Sequence, residues 1–365
     1  MKYSLLLLLS ALSVNLYAQN DSTQNLSISA YTDVYFANFT DERNPNALQE
    51  VTTVSPRDER FGLNIAQIGA HYRSDRVRGN IIIHYGDIAE ATWSDEFRAV
   101  QEANMGIHMA NDWWLDAGFF ATHIGTESFL PKNNLTSSTA VATYNEPFFQ
   151  SGARLAYEGN ERLDFAFWVV SGYNFFLDVN DAKSVGIAAS YELTETLSLT
   201  YTNLFGRESL DGVEPAQFRT YHNLYANWNP TEAWYLTLGG DLGTQSNSDL
   251  DNPTDMAVMF NALAVIRYQF LPQYALTLRG EIFQDPSGFI SGVYTTADFG
   301  INGLELYGLT LSAEYRPIEQ AYLRLEGRLL QTSDNLEIFN NGDPTNQRLE
   351  MMVTMGWEIE QGWWW

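Results

Sequence analysis

The side chains able to do chemistry in this chain are few in kind and regular in spacing. Five histidines are present, His71, His84, His108, His123 and His222. None belongs to a His-Glu-x-x-His zinc helix or stands two residues before a serine, and no Gly-x-Ser-x-Gly elbow exists to expose a nucleophile. Cysteine is absent, so neither a disulfide framework nor a thiolate metal site is available. No catalytic, cofactor or metal set emerges, and an enzyme is not expected. What remains is charge placed at every second position among apolar neighbours. Arg78, Arg154, Arg162, Arg219, Arg267, Arg279, Arg324 and Arg328 fall at such positions, as do Asp33, Glu102, Asp116, Glu158, Asp164, Glu281, Glu314 and Glu326. Acidic and basic ladders facing each other across water would set up a transverse field that orders polar solutes. The same residues would also pair across strands and stiffen a wall, although exposed pairs contribute little each. Tyr31, Tyr35, Trp114, Trp168, Tyr221 and Tyr225 share the charged parity and offer ring faces to the same space.

The elements that must hold these residues are strands. Helical periodicity is nearly absent, whereas period-two alternation recurs along the chain. From Leu26 to Phe36, Leu26, Ile28, Ala30, Val34 and Phe36 take one face and Ser27, Ser29, Tyr31, Asp33 and Tyr35 the other. Leu163, Phe165, Phe167 and Val169 alternate with Arg162, Asp164, Ala166 and Trp168, and Leu323, Leu325 and Leu329 with Arg324, Glu326 and Arg328. Such a wall has lipid outside and water inside. Short turn signals stand at Ser74-Asp75, Asn111-Asp112, Gly159-Asn160, Thr194-Glu195, Asn229-Pro230, Leu271-Pro272 and Arg316-Pro317. Between them lie long polar connections at 41–59, 87–99, 125–146, 174–183, 206–216, 245–254, 285–297 and 332–346. The strict alternation predicts an all-β, up-and-down antiparallel transmembrane barrel of about 16 strands, 14–18 being acceptable, with short periplasmic turns and long external loops. A barrel of that width keeps an aqueous interior unless something plugs it, and too few residues precede the first strand to form a plug domain.

Trp113-Trp114, Trp228, Trp234-Tyr235, Tyr268, Tyr274, Tyr322 and Trp357 cluster near the inferred strand ends, where aromatic rings favour the headgroup zone. Val353, Met355, Trp357, Ile359, Trp363 and Trp365 share one parity and end on an aromatic residue, like the terminal strand of bacterial outer-membrane barrels; Gln361 interrupts the pattern.

Bulk properties agree. Lys2, the apolar run Leu5 to Leu9 with Ala11 and Leu12, and the ending Leu16-Tyr17-Ala18 form a secretory signal over residues 1–18. A single barrel domain then covers 19–365, starting at Gln19. No later stretch approaches the ~20 apolar residues of a membrane helix. Mean hydropathy is only -0.24, yet 14% of residues are aromatic. The net charge of -25, from 45 acidic against 20 basic residues, excludes nucleic-acid binding. Much of the acid lies between strands, at Asp41-Glu42, Asp58-Glu59, Asp95-Glu96, Glu208 to Glu214 and Asp249 to Asp255. It reads as solvated loops or as a vestibule that attracts cations.

The segment Glu102–Ser128, above all Gly118–Ser128, resembles the OmpL-like β-barrel porins of Gram-negative, Bacteroidetes-like outer membranes. Ser29–Phe36 and Gly152–Glu158 resemble them too. The resemblance spans essentially the whole chain after the signal. It implies a channel in contact with outer-membrane lipid and lipopolysaccharide, passing small hydrophilic solutes by passive diffusion and compatible with a homotrimer. A substrate-selective channel, for oligosaccharides for example, and a closed structural or adhesion barrel are the alternatives. Pore-lining candidates are Asp33, Arg78, Glu102, Asp116, Arg154, Asp164, Arg219, Arg279, Arg324 and Arg328. By its position after the fifth strand the loop 125–146 resembles a porin constriction loop, with Thr126, Glu127, Lys132, Thr136, Ser137 and Ser138 as the candidate residues. A loop lying across the mouth is the other reading.

Overall fold

Wherever apolar and polar residues alternate, the backbone is extended. A computed structural model describes residues 24–41, 47–177 and 180–364; residues 1–18, expected to be a signal segment, and Gln19, Glu42 and Trp365 lie outside the described residues. The strands are β1 (Asn25–Phe39), β2 (Arg60–Arg73), β3 (Val77–Tyr85), β4 (Val100–Ala110), β5 (Trp113–Ala121), β6 (Phe149–Asn160) and β7 (Leu163–Val170). They continue with β8 (Ser184–Thr194), β9 (Leu197–Arg207), β10 (Phe218–Thr231), β11 (Trp234–Gln245), β12 (Ala257–Leu271) and β13 (Tyr274–Gln284). After these come β14 (Val293–Thr295), β15 (Ile301–Gly303), β16 (Glu305–Ile318), β17 (Ala321–Thr332), β18 (Phe339–Asn340), β19 (Pro344–Thr345) and β20 (Gln347–Trp364). Two short helices, α1 (Asp87–Thr92) and α2 (Val141–Asn145), sit in long connections. The pairs β14–β15 and β18–β19 are small separate hairpins, and the other sixteen strands close into one barrel. β20 pairs with β1 from Trp364 opposite Asn25 to Glu350 opposite Phe39, so no strand edge is left open.

Six ladders shift register immediately before their short turn, for example between Trp228 and Thr231 and between Tyr315 and Ile318. This corrects three turn positions. The chain reverses at Glu161-Arg162, Glu232-Ala233 and Glu319-Gln320, two or three residues beyond the expected sites. Pro230 and Pro317 occupy the irregular positions, where no ladder N–H is required, rather than the turns themselves. Arg162, expected inside, is consequently an exposed turn residue.

The outer face carries exposed Ile81, Leu115, Leu238, Leu278, Leu311 and Leu325. Near the short turns it carries a chain of ring contacts. Trp234 stacks on Tyr268 at 4.5 Å, Phe270 reaches Tyr274 at 6.1 Å, and Tyr274 stacks on Tyr315 at 4.9 Å. Trp113 meets Tyr157 at 5.1 Å. Trp114, Tyr235 and Tyr322 do not belong to this band. Adjacent residues of a strand take opposite faces, so Trp113 outside sends Trp114 in, and Trp234 outside sends Tyr235 in.

At the long-loop end the interior is apolar. Val51, Val141, Tyr173, Leu304, Leu336 and Phe339 from the connections pack against Phe120, Leu204, Met259, Phe283, Leu306 and Leu330 from the wall. A second cluster joins Trp93, Phe129, Leu130, Phe148 and Phe176 to Tyr31 and Ile65. Each large apolar side chain fully buried this way contributes on the order of 1.5–3 kcal/mol, so the connections form a cap rather than free loops.

Candidate functional site: a loop strapped across the lumen

The connection 122–148 leaves β5 and turns into the barrel. Gly125 makes the turn at φ 123°, and a Cβ there would stand 2.6 Å from a Glu146 oxygen, so glycine alone fits. His123 fixes the start. Its ring stacks on Trp168 with centroids 4.7 Å apart, and its nitrogens lie 2.8 Å from Gln150 Oε1 and 3.0 Å from the Asn203 carbonyl. Burial pushes the imidazole below its ordinary pKa. A neutral ring needs one donor neighbour. Turning the Gln150 amide end for end supplies it and also satisfies the otherwise unpartnered Gln150 Nε2.

Beyond Thr126, whose hydroxyl accepts from Asn223 at 2.9 Å, the loop crosses to the far wall. Arg279 on β13 donates to Thr136 Oγ1 and Ser138 Oγ at 2.8 Å and to the Ser138 carbonyl at 2.5 Å, and stands 3.1 Å from Glu127. Burial pushes the Glu127 carboxyl up, and the Arg279 guanidinium opposes that shift. Arg324 on β17 donates to the carbonyls of Pro131, Asn134 and Thr136 at 2.8–2.9 Å. Glu326 accepts the N–H groups of Ser137 and Ser138 at 2.8 and 2.9 Å, and Glu281 that of Val141 at 2.6 Å. Ser137 also bonds Thr354 on β20, and Lys132 reaches Glu358 at 2.9 Å. The loop therefore finds its partners, backbone and side chain, on the inward side chains of β13, β17 and β20.

The ten expected pore residues fall into two groups. Asp33, Arg219, Arg279, Arg324 and Arg328 are engaged in holding structure. Asp33 accepts from Tyr322 at 2.5 Å and Asn64 at 2.6 Å; Arg328 pairs with Glu281 at 3.0 Å; Arg219 donates to Gln245 at 2.8 Å and the Phe289 carbonyl at 3.0 Å. Toward the short turns, Arg78 grips Asp116 at 2.6 Å over the face of Trp114, and Arg154 reaches the same carboxylate at 2.8 Å. Arg154, Glu102, Glu158 and Asp164 line an open space of about 470 Å3 with Asn80, Asn104, Ser190, Thr200 and Tyr225. An adjoining space of about 610 Å3 runs between the loop (Thr122 to Phe129, Asn133, Asn134, Glu146) and Tyr225, Asn227, Asn229, Tyr235 and Thr237. Thr122, His123 and Tyr225 border both. The uncharged lining escaped the charge-based reading, yet Tyr221-x-Asn223-x-Tyr225-x-Asn227-x-Asn229 carries the same period. The six inward aromatics form no continuous track, since Tyr31, Tyr35, Trp114, Trp168 and Tyr221 are buried.

The family model described as "Putative beta-barrel porin-2, OmpL-like" matches residues 25–356. The chain belongs to this porin family. No curated protein matches it. Among solved structures, the porin is similar to an anion-selective porin from Comamonas acidovorans at 9% identity and TM-score 0.61, over 92% of this chain and 100% of that one. It is similar to Salmonella typhi OmpF, in a complex with daunomycin, at 12% identity and TM-score 0.54, over 94% and 99%. The trimer form of Vibrio cholerae OmpT matches at 8% identity and TM-score 0.52, over 92% and 99%. At such identities these neighbours share the fold alone. The porin is an outer-membrane channel protein, a sixteen-stranded barrel whose interior is crossed by its own 122–148 connection.

Proposed function

We propose that this porin passes small hydrophilic solutes by passive diffusion along the wall opposite β13, β17 and β20, with a preference for cations. The observation that carries the reading is the loop strapped to one wall while polar space stays open beside the other. Around the smaller space Glu102 and Asp164 face one guanidinium, Arg154, while Glu158 is paired with Arg73 and Arg78, and excess acid in a narrow polar passage concentrates cations. The pore-lining role thus falls to Glu102, Arg154 and Asp164, and the narrowing role to Thr126, Glu127, Lys132, Thr136, Ser137 and Ser138. Single-channel recording of the refolded protein in planar bilayers tests this. Discrete conductance steps are expected, with a reversal potential of cationic sign in a salt gradient; absence of steps would overturn the open pathway.

A substrate-selective channel is the second reading. Tyr225, Tyr235, Asn227, Asn229 and Thr237 offer the rings and amides that suit sugars at the larger space. Liposome swelling across a sugar series separates the two, since simple diffusion orders rates by size alone. By analogy with the trimer form among its neighbours, the porin assembles as a homotrimer in a membrane of lipid and lipopolysaccharide. Residues 1–18 are removed on export in this reading, so mass spectrometry should find Gln19 at the mature N-terminus.

A further inference from the structure

Beside the strap, the smaller open space holds opposite charges that do not meet. Arg154 on β6 makes one ion pair, from Nε to Asp116 at 2.8 Å. Its guanidinium plane is set by two rings, Phe120 at 5.5 Å and Trp168 at 5.4 Å. Its two terminal nitrogens make no hydrogen bond with a described residue, and they form the edge that suits a carboxylate. Glu102 on β4 lines the same space within the field of Arg154, yet the two form no ion pair. A row of cross-strand contacts fixes Glu102 instead. The Asn104 amide donates to it at 3.3 Å and accepts from Asn80 at 3.2 Å, and Asn80 lies 2.9 Å from His71 Nδ1. Asp164 on β7 is exposed to the space and has no hydrogen bond or ion pair with a described residue.

Between these charges the wall is low. Ala156, Ala166 and Ala188 are neighbours across β6, β7 and β8, and all three line the space. On β7 this row separates Trp168, the cross-strand partner of Arg154, from Asp164. At ~3.3 Å per residue the two backbones stand roughly 13 Å apart, one on each side of the alanines. A lone anion at Arg154 is repelled by the two acids, and a lone cation at Glu102 by the guanidinium. A solute carrying both charges satisfies both. We propose that the alanine floor is a subsite for small zwitterions, free α-amino acids or short peptides, with the carboxylate on the open edge of Arg154 and the ammonium drawn by Glu102 and Asp164. The inference rests on the passive pathway proposed above and names a solute class for it. The small alanine methyls leave room for the solute's own side chain, so the site reads charge rather than side-chain identity.

Blockade of single-channel potassium chloride current by added glycylglycine, with the refolded porin in planar bilayers, tests the site. Glycylglycine should lower the mean current and raise its noise in a saturable way. Acetate alone and methylammonium alone, at matched concentration and ionic strength, should not. Arg154→Gln should raise the half-blocking concentration about tenfold or more, equivalent to ~1.4 kcal/mol, and Asp164→Asn should raise it too. Asp164 bonds nothing described in the fold, so Asp164→Asn carries the test if Arg154→Gln fails to form a barrel. Asp251→Asn, at an exposed loop position, should be blocked as the native channel is. The proposal is overturned if native channels conduct but ignore glycylglycine, or if either singly charged probe blocks as well as the zwitterion. It is also overturned if Arg154→Gln and Asp164→Asn are blocked like the native channel. In each of these cases the open pathway stands. Absence of conductance steps would remove the pathway and the subsite together.

Discussion

Arg279 and His123 show how single side chains fix the constriction. Arg279 is wholly buried and reaches the loop at Glu127, Thr136, Ser138 and Thr139. Removing one member of a buried charged set typically costs roughly 3–5 kcal/mol, so Arg279→Leu should lower the heat-modification midpoint and raise single-channel conductance as the arc comes loose. Arg279→Lys should restore little, since an ammonium cannot reproduce the planar fork. The His123 imidazole is held below its ordinary pKa by burial. The unfolded chain therefore takes up a proton that the folded chain refuses, and the anchor's stability is complete above the ordinary histidine range and declines as pH falls through it. Acidification below about pH 6.5 should destabilise the native porin more than a His123→Gln variant, measurable as the difference between their midpoints across pH. The parity of Arg279 was legible in the sequence. That its partners would be loop carbonyls and hydroxyls was not, because contacts across more than a hundred residues leave no local signal.

For the elements, the alternation of long and short connections gave the strand count, and the three misplaced turns each follow a bulge, two of which absorb a proline. The long loop after β5 was recognisable by position and length, but its path was not, because strand heights in a barrel follow from register shear rather than from sequence period. Apolar residues at lumen parity near the upper strand ends, such as Leu204, Met259, Phe283, Leu306 and Leu330, were the readable sign that protein rather than water covers them. Ser137 and Thr354 touch across the lumen, and the chain has no cysteine of its own. A Ser137→Cys, Thr354→Cys pair should therefore crosslink loop to wall without competing thiols. Oxidised channels should show less current noise than the same channels after reduction; equal noise would mean the arc does not move.

Across the whole molecule, composition and charge were read correctly as those of a barrel, whereas selectivity depends on which charges stay free. Arg279 and Arg324 are consumed by the strap and Arg328 by Glu281 on the wall, and the acids Glu102 and Asp164 remain along the open side. Neutralising both, by Glu102→Gln with Asp164→Asn, should bring the reversal potential in a salt gradient close to zero. The effect should be largest at low ionic strength, where the Debye length of ~30 Å at 0.01 M exceeds the width of the passage.

The apolar cap at the long-loop end also has an electrical consequence. Current meets little resistance in the polar half of the tube and much more beside the packed connections, so an applied voltage drops mainly across that level. The two ends of the strap, at Ile124 and Val141, sit in the steepest part of the field, whereas Lys132 reaches down to Glu358 beside the short turns. One elementary charge displaced through the full drop exchanges ~2.3 kcal/mol per 100 mV, enough to make a loosely held segment respond to membrane potential. The ion pairs and hydrogen bonds that lock the arc to β13, β17 and β20 should therefore also make the channel insensitive to voltage, which currents recorded at stepped membrane potentials check.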